Sequence, residues 1–346
     1  MVHSRTLVAV AIIFVAAVGS GREPTPVSMP SSIGADRSGL VLGEFVLPVD
    51  SVVDGDTIRV VGLDKTLRLL GIDTEETFKK EAERSAFDKG WNAYLKAQRG
   101  DSKRPVKMAT PLGEDAKAFA AAFFKGVDRV RLERDHPLEI RDRYGRYLAY
   151  VFAQRGGEWV CYNLEAVRAG MTPYFTKYGY SRRFHEAFVA AQSEARAAQR
   201  GIWDPNKQHY PDYEERLSWW KSRADFVAKF DADAVKGDGF VTLSREDALA
   251  TLKARVDKEV VVLGALAGIK ETGKGPTLVL LGRKKDADFP LVFFKKEVLE
   301  RSGVMGARDE FVRVRGKVSV FHSKGRDEDE LELVVNDPDQ VTSTAH

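Results

Sequence analysis

Residues 68–77 read Arg-Leu-Leu-Gly-Ile-Asp-Thr-Glu-Glu-Thr, and they follow an Asp-Gly-Asp-Thr segment at residues 54–57. The apolar part of the longer stretch is typical of a β-strand that runs into an acidic loop. A third block, Asp-Arg-Tyr-Gly-Arg-Tyr-Leu-Ala-Tyr at residues 142–150, combines a turn with another strand-like run. Charged side chains at strand ends and in adjoining loops can be aimed by a rigid scaffold.

The two arginines of these blocks suit the chemistry of phosphodiester hydrolysis. A phosphodiester is an anion and gains negative charge on its oxygens in the transition state, so the catalyst has to supply positive charge. A guanidinium stays charged and donates in a fork that matches two phosphate oxygens. Arg68 and Arg146 are therefore candidates for stabilising the transition state.

The acidic residues suit a hard metal ion and a base. Oxygen-only ligands select an ion such as Ca²⁺ or Mg²⁺, which neutralises further charge. Asp56, Asp73 and Thr74 could supply those oxygens. Glu76 remains as a general base that can take a proton from water.

In order and type, the blocks resemble the staphylococcal-type thermonuclease family, and the resemblance runs from about residue 45 to residue 203. It implies a five-stranded OB-type barrel with helices packed on it, Ca²⁺ as cofactor, and cleavage of DNA and RNA to 3′-phosphorylated products. By motif it implies Ca²⁺ ligation by Asp56, Asp73 and Thr74, catalysis by Arg68, Glu76 and Arg146 with Glu76 as the base, and substrate contacts from Arg143, Tyr144 and Tyr178.

This chain departs from the family pattern at several points. Glu75 stands where the family usually has proline, so we expect a less rigid loop and an extra negative charge beside the site. Arg143 stands in for a lysine. Residues 78–112 form an insertion that could be a lid, a substrate-contacting arm or a helical decoration. Tyr178 is preferred as the substrate-contacting tyrosine, and Tyr174 is its competitor because the local spacing is shifted.

A fold alone does not establish an activity. The alternative to a nuclease is a catalytically inactive module that binds nucleic acid or protein on the same fold. The two differ in whether the charged residues converge on one pocket, namely Asp56, Arg68, Asp73, Glu76 and Arg146.

The chain has 346 residues, which exceeds what one core usually organises. We therefore predict an α+β protein with a nuclease-like domain at 44–204, a linker helix region at 205–250 and a second, OB-fold-like β-barrel domain at 251–341. The formal net charge of +3 favours local basic patches over a uniformly cationic surface. The expected partner is DNA, RNA or both; nothing indicates an obligate protein partner, and we expect a monomer.

The last third contains five strand-like runs with a helical stretch between the third and fourth, which suits an OB-fold. The strands are expected at 258–269, 277–281, 291–294, 311–320 and 331–335, and the helix at 296–301. Aromatic and basic side chains of this domain could stack on and attract single-stranded nucleic acid, or be core aromatics and solvated charges. They are Phe289, Phe293, Phe294, Phe321, Lys295, Lys296, Arg313, Arg315 and Lys317.

The N-terminus predicts export. Basic residues precede a short apolar run and small residues, so residues 1–21 read as a signal peptide, or alternatively as a membrane anchor, and residues 22–43 as a flexible tether. The expected location is secreted or periplasmic, with membrane anchoring as the other possibility. Cys161 is the single cysteine, which rules out a disulfide within the chain.

Overall fold

The computed structural model describes residues 39–273, 275–284, 287–308, 310–322 and 330–344. The predicted signal peptide and the predicted tether up to residue 38 lie outside these residues. Among the helices of the described part, none is both long and apolar enough to cross a membrane.

The first sheet forms an OB-type barrel. Its order is β1-β5-β6-β4-β3-β2, with β7 paired to β6. Because β1 and β2 follow each other along the chain, they act as the two halves of one bent strand and close the ring. The pairing of β4 with β6 is parallel, and the other pairings are antiparallel. The strands are β1 (Val41–Val46), β2 (Val52–Asp54), β3 (Thr57–Ile58), β4 (Leu67–Leu69), β5 (Arg129–Glu133), β6 (Tyr147–Arg155) and β7 (Glu158–Cys161).

The expected five-stranded barrel is confirmed, and its pleat explains how β4 positions an arginine. Leu67 and Leu69 are fully buried in the core. Successive side chains of a strand point to opposite faces, so the Arg68 side chain lies on the face of β4 opposite to Leu67 and Leu69, away from the core. The strand thus holds a charged group at a fixed place on the rim of the barrel.

Helices pack around this barrel. The Thr110 hydroxyl accepts a hydrogen bond of 3.1 Å from the Gly113 backbone N–H, and Pro111 opens the helix, both common at helix N-termini. The helices are α1 (Glu81–Asp88), α2 (Trp91–Arg99), α3 (Pro111–Phe124), α4 (Tyr162–Arg168) and α5 (His185–Ala197), with a 3₁₀ turn at Gly201–Trp203.

The insertion at 78–112 is helical and docked. Its helices α1 and α2 lead into an extended stretch that returns to the barrel. Tyr94 is buried and donates a hydrogen bond of 2.9 Å to the Ala109 carbonyl oxygen. A separate apolar cluster joins the insertion to the segment around the 3₁₀ turn and to the start of the next helix; its buried members are Tyr94, Met108, Leu112, Ile202, Tyr210 and Tyr213.

One long helix, α6 (Tyr213–Ala234), lies in the predicted linker region and contacts both halves of the chain. Its Arg223 pairs with the fully buried Glu310 at 3.0 Å, and its Trp219 indole N–H donates to the same carboxylate at 2.7 Å. Arg104 of the insertion completes this contact at 2.7 Å. The described residues belong to one compact unit, and the proposed domain boundaries stay predictions.

The second sheet forms a closed ring of five strands, β9-β10-β11-β13-β12, which β12 closes by pairing again with β9. β8, inside the predicted linker range, adds to β9, and β14 adds to β12. The expected strands and the helix between the third and fourth are all present. The elements are β8 (Phe240–Thr242), α7 (Ala248–Lys253), β9 (Glu259–Glu271), β10 (Thr277–Lys284), β11 (Ala287–Phe293), α8 (Lys296–Arg301), β12 (Phe311–Phe321), β13 (Glu330–Val334) and β14 (Val341–Ser343).

The aromatic residues of this second barrel divide into two groups. Phe289 and Phe293 are 2% exposed and belong to its core, so the idea that they stack on nucleic acid is wrong. They share one face of β11, which is the face turned inward. Phe294 and Phe321 are 66% and 49% exposed and remain available for contacts.

Candidate active site

Three segments that are distant in sequence bring charged side chains to one place on the first barrel. Asp56 lies in the turn between β2 and β3, Arg68 on β4, and Asp73 in the loop after β4. Arg68 forms ion pairs with both carboxylates, through Nη1 to Asp56 and through Nη2 to Asp73. Burial alone would lower the pKa of Arg68, but the two carboxylates raise it well above its usual value.

A glycine allows the two acidic loops to approach each other. A Cβ at Gly55 would lie 2.7 Å from Cγ2 of Thr74 and 2.9 Å from Cβ of Ala116, so no larger residue fits there without movement. The Thr74 backbone N–H donates to Asp56 at 3.2 Å, and the Thr57 hydroxyl donates to the same carboxylate at 2.9 Å. These bonds fix the orientation of the Asp56 carboxylate.

The loop that carries Asp73 is tied down by Thr172, a residue to which the sequence gave no role. The Thr172 hydroxyl accepts a hydrogen bond of 3.0 Å from the Asp73 backbone N–H and donates one of 3.1 Å to the Asp73 carbonyl oxygen. Burial would raise the pKa of the Asp73 carboxyl, but Lys107 and Arg68 lower it to about 2. Asp73 is therefore a carboxylate at neutral pH.

Glu76 lies at the edge of this cluster, with its backbone clamped by the start of α3. Its carbonyl oxygen accepts a hydrogen bond of 3.0 Å from the Thr110 N–H, and a Cβ at Gly113 would lie only 2.1 Å from that oxygen. The Glu76 side chain remains partly exposed and contacts two ammonium groups. The Nζ of Lys79 lies 3.0 Å from Oε2, and the Nζ of Lys107 lies 3.7 Å from Oε1.

Glu75, which replaces the usual proline, is turned away from these ammonium groups. It is 1% exposed and accepts hydrogen bonds from the Thr110 hydroxyl, from the Tyr210 backbone N–H at 2.6 Å and from the Tyr213 hydroxyl at 2.7 Å. Burial raises the pKa of its carboxyl. Instead of loosening the loop beside the site, Glu75 ties it to the insertion and to the start of α6.

Asp54 is a further carboxylate next to the cluster, to which the sequence gave no separate role. Its Oδ1 accepts a hydrogen bond of 3.3 Å from the Asp56 backbone N–H. Burial, and then the charge of Asp56, raise the pKa of Asp54 to about 6. Asp54 therefore takes up a proton more readily than a free aspartate does.

Arg146 is near the cluster but held elsewhere. Its Nε lies 2.7 Å from Oδ2 of Asp142, four residues before it. The parallel pairing of β4 with β6 places Arg68 beside Leu148, two residues after Arg146. Among the described contacts, none joins Arg146 to Asp56, Asp73 or Glu76.

Arg143 and Tyr144, the predicted substrate contacts, occupy the turn before β6. Arg143 is paired at 2.8 Å with Asp288 of β11, so the second barrel holds its guanidinium. Tyr144 is largely exposed. The structure therefore leaves the tyrosine accessible and brings the arginine to the other barrel rather than to the carboxylate cluster.

The two candidate tyrosines have different surroundings. Tyr174 is buried, stacks on Phe188 with ring centroids 4.7 Å apart, and accepts a hydrogen bond of 2.7 Å from the Ser181 N–H. Tyr178 is 65% exposed and contacts Phe175, over whose ring the Arg68 guanidinium lies at 5.6 Å. Tyr178 is thus the accessible one of the pair, and its role in substrate contact stays a prediction.

The donor set at the cluster suits a hard cation. Two buried carboxylates converge closely enough for one guanidinium to bind both, and the donors of Asp56, Asp73 and Thr74 are oxygens, the ligand type that Ca²⁺ prefers. No group of three or more acidic, histidine or cysteine side chains within the described ranges is arranged as a metal site. The positively charged groups that pair with these carboxylates are the Arg68 guanidinium and the Lys107 ammonium.

Comparison with known proteins agrees with this geometry. Residues 66–205 match the model of the family described as staphylococcal nuclease homologue. The chain is 32% identical over 166 residues to a thermonuclease of Staphylococcus intermedius, which covers 47% of this chain and 79% of the relative. It is 30% identical over 164 residues to an uncharacterized protein of Methanocaldococcus jannaschii, covering 45% of this chain and 70% of the relative.

A longer relative matches a similar share of the chain. The endonuclease YhcR of Bacillus subtilis is 31% identical over 176 residues, which is 47% of this chain and 12% of the relative. Two of these relatives have nuclease names, and residues 66–205 contain the barrel from β4 onward together with Arg68, Asp73 and Glu76. The chain therefore belongs to the staphylococcal nuclease homologue family, a family with nuclease members.

Proposed function

We propose that this protein is a Ca²⁺-dependent nuclease that hydrolyses phosphodiester bonds of DNA, RNA or both to 3′-phosphorylated products. The observation that carries the proposal is the convergence of Asp56, Arg68, Asp73 and Glu76 on one rim of the first barrel. These groups come from separate segments, and a purely structural ion pair would not need a partly exposed glutamate beside it.

In this proposal Asp56, Asp73 and the Thr74 oxygens hold the metal. Ca²⁺ bound there would supply positive charge next to the phosphate oxygens. Arg68, held by two carboxylates, is already oriented, so little conformational freedom is lost when it meets a phosphate. Its buried position also strengthens its interaction with the charge that develops in the transition state.

Glu76 is the proposed base. Its carboxylate takes a proton from a water molecule as the water oxygen bonds to phosphorus; the bond from phosphorus to the 5′ oxygen breaks, and that oxygen gains a proton. The products are a 3′-phosphate and a 5′-hydroxyl. Arg146 would join by leaving Asp142, since both lie in the same turn and the pair is partly exposed.

Substrate contacts are proposed around the mouth of the site. Tyr144 and Tyr178 are exposed and can pack against sugar or base, and Arg143 can meet a phosphate if it leaves Asp288. In the second barrel the exposed Phe294 is followed by Lys295 and Lys296, a combination that can stack on and attract single-stranded nucleic acid. The second barrel would then help to hold the polymer.

The test compares cleavage and binding of a labelled single-stranded DNA by the purified chain, with Ca²⁺ and with chelator. Glu76→Gln should lower the cleavage rate by at least about a hundredfold, in line with loss of a general base, while DNA affinity changes little. Glu81→Gln is the matched control, because Glu81 is exposed on α1.

Three outcomes are informative. Calcium-dependent cutting that Glu76→Gln abolishes supports the assignment. Unchanged turnover in that variant contradicts Glu76 as the base. Binding without cutting under every condition would favour the alternative, a non-catalytic module on the same fold.

A further inference from the structure

The insertion delivers one lysine to the acidic cluster, and its backbone is fixed on both sides. Arg216 of α6 donates a hydrogen bond to the carbonyl oxygen of Val106. On the other side, the Tyr210 hydroxyl accepts from the Met108 N–H at 3.0 Å and donates to the Met108 carbonyl at 2.9 Å. Lys107 lies between these two anchored residues, so its backbone position is fixed by α6 and by the segment before α6.

The Lys107 ammonium meets two of the acidic side chains assigned above. Its Nζ lies 2.7 Å from Oδ1 of Asp73 and 3.7 Å from Oε1 of Glu76. The same Asp73 oxygen also accepts from Arg68. An oxygen that already faces two cationic donors has little negative potential left for a divalent ion, which both cations would repel.

Of these two cations, Lys107 is the one that can leave. Arg68 is only 12% exposed at its side chain and binds two carboxylates at once, whereas the Lys107 side chain is 45% exposed. A lysine carries its charge on a flexible four-carbon stem and can reorient into water with its backbone unmoved. Displacement of Lys107 therefore does not require unfolding of the insertion.

We propose that Lys107 is a built-in competitor of Ca²⁺: its ammonium neutralises Asp73 and Glu76 in the metal-free protein, and metal binding displaces it into solvent. The inference rests on the proposed function, because it takes Asp73 as a metal ligand. It gives the insertion a function beyond packing on the barrel: through Lys107, the insertion sets the Ca²⁺ affinity of the site.

The experiment measures Ca²⁺ affinity directly in the full chain, by titration calorimetry and by luminescence of bound Tb³⁺ as a calcium probe, without substrate. Lys107→Met keeps the length of the side chain and removes the charge, and should bind Ca²⁺ about tenfold more tightly, a change of about 1.4 kcal/mol. Lys107→Arg keeps the charge and should stay within about threefold of the wild-type affinity.

Two controls separate this effect from others. Lys103→Met removes one charge from an exposed position of the same insertion and should leave the affinity unchanged. Asp73→Asn should weaken binding strongly, with Asp56→Asn as a second ligand variant if the first unfolds. Thermal unfolding of each variant checks that the fold is intact.

The outcomes distinguish the inference from the proposed function. If Asp73→Asn loses Ca²⁺ while Lys107→Met binds no more tightly than wild type, the competitor role is overturned and the metal site stands. A Lys103→Met variant that tightens binding as much as Lys107→Met also overturns it, because a general charge effect would then suffice. If neither wild type nor Lys107→Met binds Ca²⁺, both the inference and the metal part of the proposed function fail.

Discussion

The two barrels have the same strand order but opposite chemistry at corresponding loops. With β1 and β2 counted as one strand, the first ring consists of β1/β2, β3, β4, β5 and β6, and the second of β9, β10, β11, β12 and β13. In each ring the first strand pairs with the second and the fourth, and the third pairs in parallel with the fifth. After the third strand, the first barrel has an acidic loop with Asp73 and Glu76, whereas the second barrel has Phe294 and Lys295 followed by α8. The same scaffold thus presents carboxylates in one case and an aromatic and basic surface in the other.

This difference shows which parts of a site the fold supplies and which it does not. In both halves of the molecule the barrel determines where these side chains lie, which is the loop after the third strand. The third strand itself differs: β4 carries Arg68 between two buried leucines, while Leu291, Val292 and Phe293 of β11 are all buried and apolar. A buried carboxylate cluster needs a cation within reach, and in the first barrel the third strand itself provides Arg68.

The largest effect is expected for Arg68→Met, which makes the third strand of the first barrel resemble that of the second. Two buried carboxylates would lose their shared partner, and we expect the free energy of unfolding to fall by about 3–5 kcal/mol, with cleavage abolished. Urea unfolding and a cleavage assay measure both. Added Ca²⁺ should recover part of the lost stability, and a variant as stable as wild type would contradict the role of this pairing.

The next effect concerns Glu75, whose carboxylate links the acidic loop to the insertion and to α6. Glu75→Ala leaves the Tyr213 hydroxyl and the Tyr210 N–H without their acceptor, so stability should fall by about 2–3 kcal/mol. Turnover should also fall, because Glu76 follows directly in the chain. Chemical denaturation together with kcat and KM checks this, and Glu81→Ala on α1 serves as the exposed glutamate control.

A third change addresses the second barrel. Replacing Lys295 and Lys296 by alanine should weaken binding of single-stranded DNA and reduce the slope of log affinity against log salt by about 1.4, or about 0.7 for each phosphate contact. Fluorescence anisotropy at several salt concentrations measures this. The pair Lys253→Ala and Lys258→Ala removes the same charge from exposed positions elsewhere, and an equal effect there would argue against a binding surface at Phe294.

The smallest effect is expected at the contact between the barrels. Asp288→Ala frees Arg143 from its 2.8 Å ion pair, and the guanidinium becomes available to a phosphate. We expect DNA affinity to rise about two- to fivefold, which is less than 1 kcal/mol and in the range of a partly exposed ion pair. A decrease in affinity, measured by the same anisotropy assay, would indicate that Asp288 positions Arg143 for substrate instead of holding it back.

The sequence predicted the framework well because the relevant signals are local. Strands of both barrels, and the helix between β11 and β12, follow from apolar alternation and turn residues, and the inward face of Phe289 and Phe293 could have been read from the same alternation. Asp56, Arg68 and Asp73 could be grouped because motif order fixes their places on a strand and on loops that the fold brings together.

The remaining contacts depend on packing between segments far apart in the chain. Lys107 reaches Asp73 because Arg216 of α6 and Tyr210 before α6 anchor the residues on either side of it, and Arg143 meets Asp288 across more than a hundred residues. Glu75 becomes buried for the same reason, through partners in the insertion and before α6. No local sequence pattern distinguishes these residues, because in sequence each looks like an ordinary charged residue of the surface.

The buried Glu310 has a consequence for how the molecule unfolds. Its carboxylate binds Arg104 of the insertion, Trp219 and Arg223 of α6, and the Thr344 hydroxyl beyond β14. Separating the second barrel from the insertion and from α6 would break the contacts of Glu310 with Arg104, Trp219 and Arg223 together, and removing the partners of a buried charge is strongly unfavourable. The two barrels should therefore lose their structure in one cooperative transition, and limited proteolysis should not release either barrel intact before that transition.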